Sequence, residues 1–509
     1  MKPQSLGETA LGGVTWNATA VAGSVLLHLA VLAVLARLLD PYDFGVVGAA
    51  LIVVGFSEMF SKLGIGPAIV QVPTLTRTFQ RTAFGLALLM GAGTGLAVFL
   101  AAPLIAAFFR MEELTAVIRV LSIGFPITAL GIVPEALLLR ELAFRAKALI
   151  TLLSVGIGYG ALGIGLGLAG AGIWALVSAH LGKSAVTVIL SWYVKKPGVG
   201  LGGAISDLRK IFRFGSGMSL ADIGNYSAGK GDEVVVGRWL GAEALGYYGR
   251  AYEFMVAPVK LVGQATETVM FPILASIQDS PERMRQVFYR CISVIAIVTL
   301  PVSALIVVLA PEIVRVLLGP GWGETVLPLQ ILSVAILFRT SYKVSNSLAR
   351  AKAAVYRSAW RQWIYAGAVF LGAACGQRWG IAGVAAGVGL AVTLHFGSML
   401  TLSRDLIDGT WAELAREHRP GLWLAICVVP MGWSTAWATR VLDAPDTAVV
   451  FSVLLAGIVG VVLGCRTLSF EGFKNVAWVL RNGCTKLGLS HKTSQAGIRL
   501  LRGKARITW

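Results

Sequence analysis

Ionisable side chains interrupt this chain where apolar residues otherwise run for about twenty positions at a stretch, the length that spans a bilayer as a helix. Glu58 and Lys62 stand four apart, as do Arg339 and Lys343, while Asp222, Lys230, Asp232 and Glu233 fall within twelve residues. Glu253, Lys260 and Glu267 recur every seven residues and so share a helical face, and Glu135, His180 and Lys183 add further polar points. A charge at the bilayer centre costs roughly 2.5–3.5 kcal/mol on insertion scales. Such a residue therefore lines a hydrated cavity, pairs with an opposite charge, or reaches the interface on a long stem. Lys62, Lys230, Lys260, Arg339 and Lys343 give the cavity reading a basic balance, suited to an anionic substrate such as a lipid-linked phosphate or pyrophosphate. Arginine grips phosphate with two parallel hydrogen bonds, and lysine meets it as a point charge. Glu58, Asp232 and Glu233 either pair with these bases or carry a coupling H+ or Na+.

Other chemistry finds little support. Gly182-Lys183-Ser184 has the form of a phosphate-loop ending, but Val177 stands where that loop needs glycine, inside an apolar run. Gly91, Gly93 and Gly95 follow no strand. Cys291, Cys375, Cys427, Cys465 and Cys484 form no CxxC pair, so neither a metal centre nor a disulfide framework is expected. His28, His180 and His395 are isolated in sequence and read as packed, hydrogen-bonded residues. The chain is expected to need no cofactor and to be no enzyme.

The elements that must position these charges are membrane helices. Charged residues make up 14 % of 509, against about a quarter in soluble proteins, and hydrophobic residues 56 %. Fourteen apolar spans are predicted, centred near Val25, Val54, Gly91, Phe125, Gly158, Leu181, Ile223, Lys260, Val298, Leu332, Phe370, Leu390, Val429 and Leu455. The net charge of +18 is asymmetric. With the N-terminus cytoplasmic, inner loops and the tail take most of the Lys and Arg, among them Arg140, Arg145 and Lys147, and Lys195, Lys196, Arg209 and Lys210. This positive-inside bias places both termini in the cytoplasm and removes nucleic acid as the reason for the charge.

The chain also repeats itself. Arg37, Leu39, Gly45, Gly48 and Ala50, after the first span, return as Arg238, Leu240, Gly246, Gly249 and Ala251 after the seventh. Six intervening helices make this a parallel repeat, related by an axis along the membrane normal. The expected fold is an all-α polytopic membrane protein of about 14 helices, two six-helix lobes plus two C-terminal helices. The expected boundaries are a first lobe 1–194, a Gly-rich cytoplasmic linker 195–210 and a second lobe 211–407. Two additional spans 408–468 and a basic cytoplasmic tail 469–509, suited to anionic membrane lipids, complete the chain. The glycine-rich fifth span, from Gly156 to Gly167, predicts close helix packing.

Two blocks carry a family resemblance. One runs Leu35-Ala-Arg37-Leu-Leu-Asp-Pro41-Tyr-Asp43-Phe-Gly45, then Phe60-Ser-Lys62-Leu-Gly64-Ile-Gly66-Pro-Ala68-Ile-Val-Gln71. The other runs Asp232-Glu-Val-Val-Val-Gly237-Arg-Trp-Leu-Gly241, then Leu245-Gly-Tyr-Tyr, Ala251, Pro258 and Phe271-Pro272. The chain from about Thr9 to Ile407 resembles the polysaccharide exporters of the MOP flippase superfamily, in the Wzx-type lineage of colanic-acid and succinoglycan exporters. The resemblance implies a two-lobed bundle working by alternating access in the bacterial inner membrane. It implies a substrate of undecaprenyl-diphosphate-linked oligosaccharide repeat units, moved from the cytoplasmic to the periplasmic leaflet for exopolysaccharide or O-antigen synthesis. It also implies hand-over to polysaccharide polymerase and export machinery, and it sets the family's seventh-helix acidic position on Asp232. Two alternatives stay open: a cation-coupled drug or metabolite exporter of the same fold, and a membrane glycan polymerase or ligase.

Overall fold

Apolar runs become helices wherever a cap, a proline or a left-handed residue brackets them. The computed structural model describes residues 22–200 and 204–467, so the predicted tail 469–509, the start of the first span and residues 201–203 of the predicted linker lie outside the described residues. In chain order the first eight helices are α1 (Ala22–Leu38), α2 (Pro41–Lys62), α3 (Ile65–Gln71), α4 (Arg77–Phe109), α5 (Leu114–Ser122), α6 (Gly124–Arg140), α7 (Phe144–Leu168) and α8 (Ile173–Val194). There follow α9 (Ile205–Val235, prolonged by a π-turn to Leu240), α10 (Ala242–Ser276), α11 (Pro281–Leu317), α12 (Val326–Val334), α13 (Ile336–Ala351), α14 (Val355–Gly376), α15 (Gly380–Ile407), α16 (Trp411–Val441) and α17 (Asp446–Thr467). No strand occurs among the described residues.

Pro41 opens α2, where its missing N–H is not needed. The Thr76 hydroxyl accepts from the Phe79 amide at 3.1 Å to start α4, and Thr410 and Glu413 form a reciprocal capping box at the start of α16. The chain is thus an all-helical polytopic membrane protein. Each of the fourteen predicted centres lies within a helix. Nine segments among the described residues are long and apolar enough to cross a membrane, or ten if α12 and α13, bent by 41°, make one span. The charge-bearing α9 and α10 are not among the nine.

Contacts divide the chain into two units. The first holds the residues up to Gly249 with Leu317–Gly321 and Ala373–Val384. The second holds Arg250–Val316, Trp322–Gly372 and the chain from Ala385 onward.

In the first unit, Ile65, Ile69, Phe79, Ala83, Val133, Leu137 and Ile211 make a core that seats the short α3 against α4 and α6. The α3 C-terminus leaves carbonyls without intrahelical donors. Arg140, at the end of α6, supplies them: its Nη1 donates to the carbonyls of Ile69 (2.7 Å), Val70 (3.1 Å) and Val72 (2.6 Å), and its Nη2 to that of Pro73 (3.0 Å). The predicted close packing of the glycine-rich span appears where α7 crosses α8. A Cβ on Gly158 would lie 2.6 Å from the Gly182 carbonyl carbon and oxygen.

The repeated glycines make a second backbone contact. A Cβ on Gly45 would lie 1.7 Å from the Ala242 carbonyl oxygen, and one on Gly246 would lie 1.9 Å from the Pro41 carbonyl oxygen. In the register that maps Gly45 onto Gly246, Pro41 maps onto Ala242. Exchanging the two repeats therefore maps this contact onto itself, as in an isologous interface.

The second unit is built on Leu274, Met284, Phe288, Ile292, Val344 and Leu348. Here α16 is joined to α11 along its length. Glu413 accepts from the Arg285 guanidinium and from the Tyr289 hydroxyl (3.1 Å) at one end. Gly421 lies against the Ala296 backbone midway. At the far end Arg440 forms a two-pronged pair with the fully buried Glu312, at 2.8 and 2.9 Å, and donates to the Val308 carbonyl. Arg315 bridges Glu312 (3.4 Å) to Asp446 (3.0 Å) at the start of α17.

Two of the predicted spans are broken, at Ile123 between α5 and α6 and at Ala335 between α12 and α13. Each broken span is followed by a left-handed non-glycine residue, Leu142 (φ 56°) and Ala353 (φ 54°).

Candidate functional site

The predicted site residues fall into two sets, one in each unit. In the first, α2 brings Glu58 and Lys62 together at 2.5 Å, both partly exposed. Residues four apart on a helix are neighbours, so this pair follows from spacing alone. One turn earlier Tyr226 of α9 packs on Gly55 and Phe56 and donates its hydroxyl hydrogen to the Ile52 carbonyl at 2.8 Å. Further along α9, Lys230 meets Glu233 at 2.5 Å.

Asp232 joins neither base in that set. Its Oδ2 accepts from the Tyr248 hydroxyl of α10 at 2.7 Å and its Oδ1 from the Glu233 amide at 3.0 Å. Asp232 and Tyr248 are both buried, at 1 % and 0 % exposure. Two hydrogen bonds hold the carboxyl group in one orientation inside the helix pair.

The second set lies on α10 and α13. Arg339 donates from Nη1 to the Tyr252 hydroxyl at 2.6 Å, with its guanidinium 4.8 Å from the centre of that ring. The Lys343 stem runs past Gly263, where a Cβ would come within 2.9 Å of its Cδ and Nζ. Lys260 is exposed. Its sevenfold neighbour Glu253 pairs instead with Arg250, at 2.6 Å, and the side chains of Asp222 and Glu267 lie outside the described residues.

The spacing rule found the Glu58–Lys62 pair but singled out neither Lys230–Glu233 nor Tyr226, Tyr248 and Tyr252. Tyr248 and Tyr252, four apart, share a face of α10, a signal present in the sequence. Their acceptor and donor partners sit on other helices, where sequence spacing is silent.

The first unit also carries an open groove of about 450 Å³ between α2 and α4, lined by Val53, Phe56, Phe60, Leu89 and their neighbours, with Ser57 and Thr94 as its polar edges. Its walls suit hydrocarbon, not phosphate. No group of three or more His, Cys, Asp or Glu able to hold a metal ion occurs among the described residues.

His28, His180 and His395, isolated in sequence, are clustered with tyrosines in space. Tyr159 of α7 lies between His28 (5.0 Å between ring centres) and His180 (5.7 Å). In the second unit His395 of α15 stacks on Tyr365 of α14 at 4.3 Å and meets Tyr342 of α13 edge-on at 4.9 Å.

Comparison with known proteins sets this arrangement in context. The profile of the family described as "Polysaccharide biosynthesis protein" matches residues 34–327. The chain is similar to the lipopolysaccharide biosynthesis protein WzxC of Escherichia coli (strain K12), 29 % identical over 433 residues that cover 82 % of this chain and 85 % of the relative. It is also similar to the succinoglycan biosynthesis transport protein ExoT of Rhizobium meliloti (strain 1021), 29 % identical over 345 residues, 66 % of this chain and 68 % of the relative. Among solved structures the fold matches the lipid II flippase MurJ in its inward closed conformation, with a TM-score of 0.72, 13 % identity, and coverage of 88 % of this chain and 97 % of that one.

Proposed function

Since the chain belongs to the polysaccharide biosynthesis protein family, we propose that it is a transporter that flips polyprenyl-diphosphate-linked oligosaccharide repeat units across the bacterial inner membrane by alternating access, for exopolysaccharide or O-antigen synthesis. The observation that carries this reading is the family match through both repeat blocks, joined to basic side chains on α2, α9, α10 and α13. The isoprenoid tail stays in lipid while the charged headgroup crosses on protein. Lys62, Lys230, Lys260, Arg339 and Lys343 meet the diphosphate, with Arg339 pre-oriented by Tyr252. Glu58 and Glu233 neutralise Lys62 and Lys230 at rest. Asp232, tied to Tyr248, carries the coupling ion, H+ or Na+.

The lobes proposed are 1–194 and 211–407, with both termini cytoplasmic and hand-over of the flipped unit to a polymerase. The cation-coupled exporter of the same fold is disfavoured by the basic balance of the intramembrane charges. The deciding experiment measures the leaflet in which lipid-linked repeat units reside in cells lacking the protein. Complete units held on the cytoplasmic leaflet, with no surface polymer, are the expected result; normal delivery to the outer leaflet refutes the proposal.

A further inference from the structure

The end of α9 presents a cation that no acid meets. Beyond Val235 the helix widens into the π-turn Val236–Leu240, and Gly237 lets that turn close on α4, where a Cβ would lie 3.0 Å from Phe109 Cε1. A π-turn carries an extra residue in the helical ladder and so re-aims the side chains it holds. Here it sets the Arg238 guanidinium 5.5 Å from the centre of the Phe108 ring and 5.8 Å from that of Trp239. Only Nη1 of its nitrogens is buried, and none of the three makes a hydrogen bond or ion pair among the described residues. The open edge, Nε with Nη2, is the side of a guanidinium that takes an oxyanion with two parallel hydrogen bonds. Hydrocarbon leads up to this edge. Leu96, Leu100, Leu104 and Phe108 stand four apart on one face of α4, a helix long and apolar enough to cross a membrane, and all four are exposed. An apolar stripe ending at a forked cation and an exposed indole repeats the order of a bilayer lipid: chains first, then phosphate at the interface where tryptophan collects.

We propose that Arg238 is a lipid-binding residue, its Nε–Nη2 edge holding the phosphate of a bilayer glycerophospholipid whose chains lie along the α4 stripe. The rings of Phe108 and Trp239 keep the guanidinium in place, and the phosphate supplies the acceptor that the protein does not. Seated there, one lipid touches both α4 and the turn that links α9 to α10. Arg238 is not among the headgroup contacts proposed for transport, so this lipid is a resident of the protein and not its cargo.

The test uses the full chain in a maltoside detergent, which carries no phosphate. Binding of phosphatidylglycerol is measured by native mass spectrometry, beside a digalactosyl diacylglycerol with the same chains and no phosphate. The wild type is expected to prefer the phospholipid. Arg238→Gln is expected to bind its first phosphatidylglycerol about tenfold more weakly, as loss of a charge-assisted contact predicts, with the galactolipid unaffected. Arg238→Lys should recover part of the loss, since lysine keeps the charge without the fork. The control is Arg378→Gln, which removes an exposed cation from the turn Gln377–Trp379 that packs against the π-turn, and it should bind as wild type. Equal affinity of the wild type for the two lipids overturns the proposal, as does an Arg238→Gln variant that binds like the wild type or weakens both lipids together. Equal weakening in Arg378→Gln, the mark of general surface charge, overturns it too. So does tighter capture of undecaprenyl phosphate than of phosphatidylglycerol, which would make the carrier the occupant. No step of the flippase reading uses Arg238, so failure here leaves that reading to the leaflet measurement.

Discussion

Replacing Gly45 with alanine tests the reciprocal seat that joins the two repeat blocks. The added Cβ would lie 1.7 Å from the Ala242 carbonyl oxygen, whereas real Cβ atoms essentially never come under 3.0 Å, so the two backbones must part by more than 1 Å. Overpacking of this kind costs about 1–3 kcal/mol. A difference of that size shifts a two-state equilibrium by about 5–150-fold. Alanine is itself favoured over glycine within a helix by up to about 1 kcal/mol, so any loss arises despite the intrinsic preference. Gly246→Ala must act in the same way, its Cβ falling 1.9 Å from the Pro41 carbonyl oxygen. Gly249→Ala is the control, because nothing lies within 4 Å of the added carbon. The assay is surface polymer in complemented deletion cells together with the melting temperature of the purified chain. Gly45→Ala and Gly246→Ala should each lower both, and Gly249→Ala should change neither. Because one separation relieves both clashes, the double variant should lose less than the sum of the singles. Wild-type polymer and melting temperature in both single variants, or strict additivity in the double, would refute the reciprocal contact.

Other expectations follow from single groups. Tyr248→Phe removes the hydroxyl that meets the buried Asp232 and should cost about 1–3 kcal/mol of stability, read as a lower denaturation midpoint. Arg440→Ala strands Glu312 beside the half-exposed Arg315 and should lower the melting temperature, with Arg440→Lys recovering only part because lysine cannot make the two-pronged pair. Lys260→Ala, Arg339→Ala and Lys343→Ala should each reduce polymer export at normal protein levels; full export in all three would remove these residues from the headgroup site.

Much of the fold could be read in advance because lipid imposes a simple requirement. A backbone that must satisfy itself becomes a helix wherever apolar residues run on, so every predicted centre lies in one. The break at Ile123 falls where Gly124 and Pro126 weaken the helix, Pro126 lacking the N–H that would meet the Ser122 carbonyl, whereas no proline stands at the Ala335 break. The repeat was visible through Gly45 and Gly246, and their mutual seating explains why glycine recurs there. The candidate site divides along the same line. Glu58–Lys62 is intrahelical, so spacing revealed it, while Lys230–Glu233, also intrahelical, was visible only as part of a charged cluster. Asp232–Tyr248, Arg339–Tyr252 and the tyrosine cage around His395 join residues on different helices, and only folding brings them together.

Arg140 ties the order of synthesis to the order of assembly. The four carbonyls it satisfies lie 67–71 residues upstream. As the nascent chain emerges, α3 is complete before its donor exists, so until α6 arrives water or headgroups must meet those carbonyls. A substitution at Arg140 would consequently be felt during biogenesis, as a defect in yield at the membrane, before it was felt in transport.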